Sequence, residues 1–241
     1  MAAPLPALAV TFDFGQTLCD LDTGMLSRRL AERGLDVSAD RLEASVPEAW
    51  TAYDAAIHAG HGGHPWKLLM TRLLSLAGAP ADPARDAVDW LWTEQPRKNL
   101  WRRPIAGMID VVRALCLASV PVGIVSNSEG KLAELAAEIG WGHDFLFVAD
   151  SGKLGMEKPD PAIFQWAAAR LDVPLAQIVH VGDSWAADVE GALRAGMRAV
   201  WFRGDGGRAL PPEVRRAEDA AGVRAALGGW GLLDPAWRQG E

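Results

Sequence analysis

Asp13 closes the apolar run Leu8 to Phe14, in the segment Asp13-Phe14-Gly15-Gln16-Thr17. A carboxylate at the carboxyl end of a strand stands where open α/β sheets place their ligands. It can attack phosphorus or carbon and form a covalent intermediate, splitting one hard displacement into two easier steps. One of its oxygens can attack while the other binds a metal. Further polar clusters follow later apolar runs: Ser126-Asn127, Lys158-Pro159, and Gly182-Asp183-Ser184 with Asp188. The Ser126 hydroxyl can donate to a phosphoryl oxygen, and the backbone N–H of Asn127 can add a second donor near a helix N-terminus. Lys158 can offset the charge gathered by two carboxylates and a transferring group. Asp13 and Asp183 together offer the two carboxylates that a hard Mg²⁺ ion takes alongside phosphate oxygens, provided their strands are neighbours. Asp188 can bind that ion through water, orient Lys158, or simply favour the dipole of the helix it opens. Taken singly, each is ordinary: an Asp after a strand forms turns, and a Lys beside a Pro is a common surface residue. Their order along the chain is what suggests chemistry.

Five short apolar runs can carry these groups as strands: Leu8–Phe14, Val120–Ser126, Phe145–Ala149, Ile178–Val181 and Arg198–Phe202. Rich in Val and Ile, they suit strands buried on both faces. Helical segments alternate with the last four. Leu132, Leu135, Ala136 and Ile139 repeat at helical spacing before Gly140, Asp160-Pro161 reads as a cap followed by Pro at the first helical position, and Ser184 to Gly196 gives another helix. Such alternation predicts an α/β fold with a parallel sheet. Residues 22–100 break the rhythm with four helical stretches, Thr23–Arg33, Ala39–His58, Pro65–Ala77 and Pro83–Trp92. The expected division is a core of residues 1–21 and 101–241 and a helical domain of residues 22–100, with Pro104 as the return hinge. A helix around Glu213–Leu227 is expected near the end.

Nucleophile, hydroxyl, cation and acidic pair in this order resemble the haloacid dehalogenase (HAD) superfamily of hydrolases. The phrases GMEKPDPAIF (Gly155 to Phe164) and HVGDSWAADVEGA (His180 to Ala192) make the resemblance specific. It implies a parallel Rossmann-like core with an all-helical cap domain that closes over the substrate. It further implies a phosphatase working through an aspartyl-phosphate on Asp13, with Thr17 orienting the nucleophile loop. Ser126, Asn127 and Lys158 would bind the phosphoryl group. Asp13, the Gly15 carbonyl, Asp183 and Asp188 would hold Mg²⁺. One position departs from the pattern: Gly15 stands where phosphatase members usually carry a second Asp, the acid that protonates the leaving oxygen and later activates water. Such help is typically worth about two to four orders of magnitude in rate. Alternatives therefore stay open: a 2-haloacid dehalogenase, which needs no proton to expel halide but typically lacks the acidic metal pair, a phosphonatase using Lys67 for a Schiff base, or a metabolite-binding protein without turnover.

A formal charge of −7 disfavours nucleic-acid or anionic-membrane partners, leaving a small phosphorylated molecule as the expected substrate. No apolar stretch is long enough to span a bilayer, and Met1 to Pro6 lacks the basic-then-apolar pattern of a signal peptide. With Cys19 and Cys116 far apart, a cytoplasmic monomer or homodimer is expected. His58, His61 and His64 across a Gly-rich loop lack the fixed geometry of a metal site, and His180 reads as a satisfied core histidine. Of the eleven tryptophans, most read as packing residues.

Overall fold

Buried apolar segments pair into a parallel sheet, and the rest of the fold follows from their order. The computed structural model describes residues 6–60 and 65–234. Among these residues the strands are β1 (Ala9–Phe12), β2 (Cys19–Leu21), β3 (Trp101–Pro104), β4 (Val122–Ser126), β5 (Val148–Asp150), β6 (Ile178–Gly182), β7 (Arg198–Phe202) and β8 (Val214–Ala217). Six of them form one sheet in the order β5-β4-β1-β6-β7-β8, while β2 and β3 pair separately. Every pairing in the large sheet is parallel. Strands β1, β4, β6 and β7 are buried along their whole length, as a parallel sheet with helices on its faces requires. β1 lies at the centre, with β4 on one side and β6 on the other. That is the switch point where such sheets open a crevice at their carboxyl ends.

The chain divides into two compact units, one running to Asp20 and resuming at Pro104, the other spanning Leu21–Arg103. The second unit holds α1 (Thr23–Ala31), α2 (Ala39–His58), α3 (Trp66–Leu76) and α4 (Ala81–Glu94). Asp22 opens α1 by accepting from the Met25 N–H at 2.7 Å. Leu26, Leu30, Leu42, Trp66, Met70, Leu73 and Leu74 fill its interior completely. Trp66 is fully buried, whereas Trp50, Trp90 and Trp92 are only partly so. Lys67 is exposed and ion-paired with Asp89 at 2.6 Å. His58 is exposed at the end of α2; His61 and His64 lie outside the described residues.

The first unit carries α5 (Met108–Leu117), α6 (Leu132–Glu138), α7 (Ser151–Leu154), α8 (Pro161–Leu171), α9 (Glu190–Arg194) and α10 (Ala220–Gly228). Asp160 caps α8 through the Ala162 N–H, with Pro161 at its start. Three expectations need correction. The segment expected as one helix from Glu213 is instead β8 followed by α10, divided by Asp219, which caps α10 through the Gly222 N–H. The helix after Ser184 begins as a π-helical turn, Trp185–Val189, before α9. The strand expected at Phe145–Ala149 is shifted to Val148–Asp150, whose ladder with β4 begins at Ile124 opposite Val148.

Asp150 explains how the loop after β4 is fixed. Its carboxylate, almost fully buried, accepts from the main-chain N–H groups of Gly130 (2.9 Å), Leu132 (2.9 Å) and Gly152 (3.0 Å). Ser151 and Ser128 exchange hydrogen bonds across the same loop. A Cβ on Gly152 would stand 2.6 Å from the Gly130 nitrogen, so only glycine allows this approach. Leaving several buried donors unpaired is costly, at about 1–3 kcal/mol for such a group. Asp150→Ala is expected to lower unfolding free energy by about 2–4 kcal/mol, read by urea denaturation; a loss within 0.5 kcal/mol, on the order seen at inert surface sites, would contradict this account.

Candidate active site

Asp13 follows β1 directly, and its N–H is held by the Val181 carbonyl of β6 at 2.8 Å. Ser126 is the last residue of β4, and Asp183 follows the last residue of β6. Parallel register brings these carboxyl ends side by side, since Phe12 pairs with both Ile124 and Val181. Lys158 reaches the same point from the segment before α8. Its ammonium lies 2.5 Å from Asp13 Oδ1 and 2.6 Å from Asp188 Oδ1, with all three residues buried.

Asn127 sets where Lys158 starts. Its side-chain amide donates to the Lys158 carbonyl at 2.9 Å and accepts from the Lys158 N–H at 2.8 Å. The sequence suggested only the Asn127 backbone as a donor; the side chain's work on Lys158 is additional.

Asp188 is held from three directions. Oδ2 accepts from the Ser184 N–H at 2.9 Å, while Oδ1 meets Lys158 and His180 Nε2, the latter at 3.0 Å. Glycine at 182 is required here, because a Cβ would stand 2.2 Å from Asp188 Cγ. His180 is fully buried, and its Nδ1 lies 2.9 Å from Thr11 Oγ1. A carboxylate only accepts, so Nε2 carries the proton and Nδ1 accepts from the Thr11 hydroxyl. His180 is satisfied, as its sequence setting suggested, but one of its partners belongs to the acidic cluster. Only the strand alternation could have pointed there.

Thr17 reaches Asp183 Oδ1 with its hydroxyl at 3.2 Å. Between them the loop after Asp13 folds tightly: Leu18 and Cys19 N–H groups bond the Phe14 carbonyl, and Gln16 adopts a left-handed φ of 56°. Gly15 lies in this turn, bridged to Cys19.

Charges at the site follow from burial and these contacts. Burial pushes the Asp13 carboxyl above its ordinary range; Lys158 opposes this without cancelling it, and Asp188 adds to it. Burial would raise Asp188 too, but Lys158 and His180 outweigh it and hold that carboxyl at about 2. Burial works against the Lys158 proton, yet Asp13 and Asp188 together keep the ammonium above its usual value. Burial also lowers the His180 pKa, against the pull of Asp188, and keeps the imidazole neutral.

Among the described residues, Asp13, Asp183 and Asp188 form the one group of three side chains able to hold a metal ion, with ligand atoms all within 4.8 Å of one another. Their donors are all oxygens, which suits a hard divalent cation. A divalent ion beside Asp13 would offset the repulsion from Asp188 that helps to raise its carboxyl. The residues fit the group.

Residues 8–196 match the family model for haloacid dehalogenase-like hydrolases. The chain is 32% identical over 181 residues to a phosphoserine phosphatase of Thermus thermophilus, covering 73% of this chain and 69% of the relative. It is 31% identical over 179 residues to a glyceraldehyde 3-phosphate phosphatase of Methanopyrus kandleri, covering 73% and 72%. The fold superimposes on the Bacillus subtilis protein YfnB, solved bound to magnesium, with a TM-score of 0.70 at 19% identity over 92% of this chain and 99% of that one. Among the described residues no helix is long and apolar enough to cross a membrane.

His180 makes the pH dependence of stability predictable. Its folded pKa lies below the ordinary 6.5, so as pH falls below 6.5 the unfolded chain takes up a proton that the folded chain refuses. In chelator-treated protein, the stability advantage of wild type over His180→Gln is expected to shrink as pH falls from 7 to 5, by up to about 1.4 kcal/mol per pH unit. Urea titrations at several pH values read this; a constant difference would mean His180 is not held neutral.

Proposed function

This chain belongs to the haloacid dehalogenase-like hydrolases, and we propose that the bond it hydrolyses is a phosphate ester of a small metabolite, with Asp13 as nucleophile and Mg²⁺ as the metal. The observation that carries this reading is the buried ammonium of Lys158 shared by Asp13 and Asp188, with Asp183 beside them at the carboxyl ends of β1 and β6. Two relatives named as phosphatases of small phosphorylated metabolites support the substrate class.

In the proposed reaction an Asp13 oxygen attacks phosphorus, and the bond to the leaving oxygen breaks with its electron pair. Water then attacks phosphorus, the bond to Asp13 breaks, and inorganic phosphate departs carrying the water's oxygen and protons, with the carboxylate restored. Lys158 remains protonated and offsets the charge on the transferring group. The Ser126 hydroxyl and the Asn127 N–H donate to phosphoryl oxygens. Thr17 orients the loop carrying Asp13. Held by Asp13, the Gly15 carbonyl, Asp183 and Asp188, Mg²⁺ would neutralise phosphoryl oxygens. We also assign residues 22–100 the role of substrate-selecting cap, and expect a cytoplasmic monomer or homodimer.

Glycine at 15 removes the usual proton donor, so the leaving oxygen must depart as a weak base. Turnover is therefore expected to rise steeply across a series of aryl phosphates as the leaving group becomes more acidic. Gly15→Asp should flatten that dependence and speed poor leaving groups, by about two to four orders of magnitude if acid–base help is all that is missing. A flat dependence in the wild type would point to an acid elsewhere.

Phosphate release from a phosphomonoester panel, with and without Mg²⁺, tests the reading directly. Metal-dependent release that Asp13→Asn abolishes is the expected result. Halide release from 2-haloacids without metal, and no phosphate from any ester, would replace the phosphatase with a dehalogenase, to which Gly15 is equally suited.

A further inference from the structure

Trp201 stands out among the tryptophans of the first unit because of where its one polar atom goes. In β7 it pairs in register with Gly182 of β6, one residue before Asp183. Its indole N–H turns back to donate to the main-chain carbonyl of Asp183 at 2.8 Å. A buried indole needs an acceptor, but this acceptor belongs to a residue whose carboxylate is part of the acidic cluster. The carboxylate itself is met by Thr17 at 3.2 Å, so Asp183 is gripped at both its main chain and its side chain.

The indole is in turn fixed in place. A Cβ on Gly204 would stand 2.1 Å from Trp201 Cδ2, so the backbone there lies directly on the ring. Trp185 meets it edge to face at 4.7 Å between centroids. The Arg208 guanidinium sits 4.2 Å above Trp185, and that of Arg216 sits 5.6 Å from Trp201. Arg216 also donates to the carbonyls of Gly206 and Arg208, tying the loop to β8. The loop therefore presses on the indole, and the indole holds the turn that presents Asp183. Trp185, by contrast, gives its indole N–H to Glu190 at 2.8 Å.

We propose that Trp201 is a positioning residue: by holding the Asp183 carbonyl it fixes the Asp183 carboxylate and so sets the affinity of the Asp13–Asp183–Asp188 cluster for a divalent cation. Partners that orient a metal ligand without touching the metal typically govern affinity by about 10–100-fold. The proposal rests on the metal-site reading given above.

The test measures metal binding on chelator-stripped protein with no substrate present, by calorimetry with Mg²⁺ and by electron paramagnetic resonance of free Mn²⁺. Trp201→Phe keeps an aromatic ring but removes the N–H, and Trp185→Phe removes from the same aromatic cluster an indole N–H that is given to Glu190. Affinity is expected to fall about 10-fold or more in Trp201→Phe and to stay at the wild-type value in Trp185→Phe. Equal affinity in both variants, with Asp183→Asn clearly weakened, would overturn the role of Trp201 and leave the metal site standing. Absence of binding in the wild type would overturn the metal-site reading itself, and this proposal with it. Should Trp201→Phe fail to fold, the wild type still decides. The assigned ¹⁵N signal of the Trp201 indole should shift and its proton exchange should slow on Mg²⁺ saturation; a signal unmoved at saturation would overturn the proposal.

Discussion

A single ammonium group buried between two carboxylates constrains most of this molecule. Removing Lys158, Asp13 and Asp188 from water carries a large desolvation cost, and their attraction offsets it only if geometry is close and the remaining lone pairs are met. The chain meets that condition with short contacts of 2.5 and 2.6 Å and with further donors on Asp188 from Ser184 and His180. Because the pairing is unforgiving, the backbone on each side must be fixed to within a fraction of an ångström. The Asn127 amide supplies this at Lys158, and glycine at 182 supplies it at Asp188.

The same arrangement crowds carboxylates together. Asp183 adds its carboxylate to the cluster, and Asp13 is pushed toward its neutral form by burial and by Asp188. Three carboxylates with ligand atoms within 4.8 Å of one another offer the all-oxygen donor set that suits a hard divalent cation. Chemistry and stability thus draw on one set of charges. The departure at Gly15 changes what reaction these charges can drive, not whether the cluster forms, since no contact of the Lys158 pair passes through residue 15.

What was legible in the sequence was local. Short apolar runs marked β1, β4, β6 and β7, and Asp160-Pro161 marked the start of α8, because strand burial and helix capping are written within a few residues. β8 escaped because Val214-Arg215-Arg216-Ala217 is short, lies at the sheet edge and carries two arginines, one of which braces the loop over Trp201. The groups that hold the candidate site were equally hidden. Thr11 against His180, Asn127 against Lys158 and Trp201 against Asp183 are meetings between distant segments. No spacing rule encodes them; they exist only once the sheet order is known.

The central place of β1 has a consequence for the making of the protein. Val10 lies beside Val122 on one side and Val179 on the other, so β1, made before either neighbour, waits for both of them. The four helices of the second unit are synthesised in that interval, and their contacts are with segments near in sequence, which form early. Asp13 meets its counter-ion only after residue 158 has emerged, and β1 keeps an open edge until β6 follows. Synthesis therefore runs from the middle of the sheet outward, first through β4 to β5 on one side and then through β6 and β7 to β8 on the other. A nascent chain halted before residue 178 would leave β1 with one edge open, a strand that the finished sheet buries along its whole length and the kind of segment that chaperones shield.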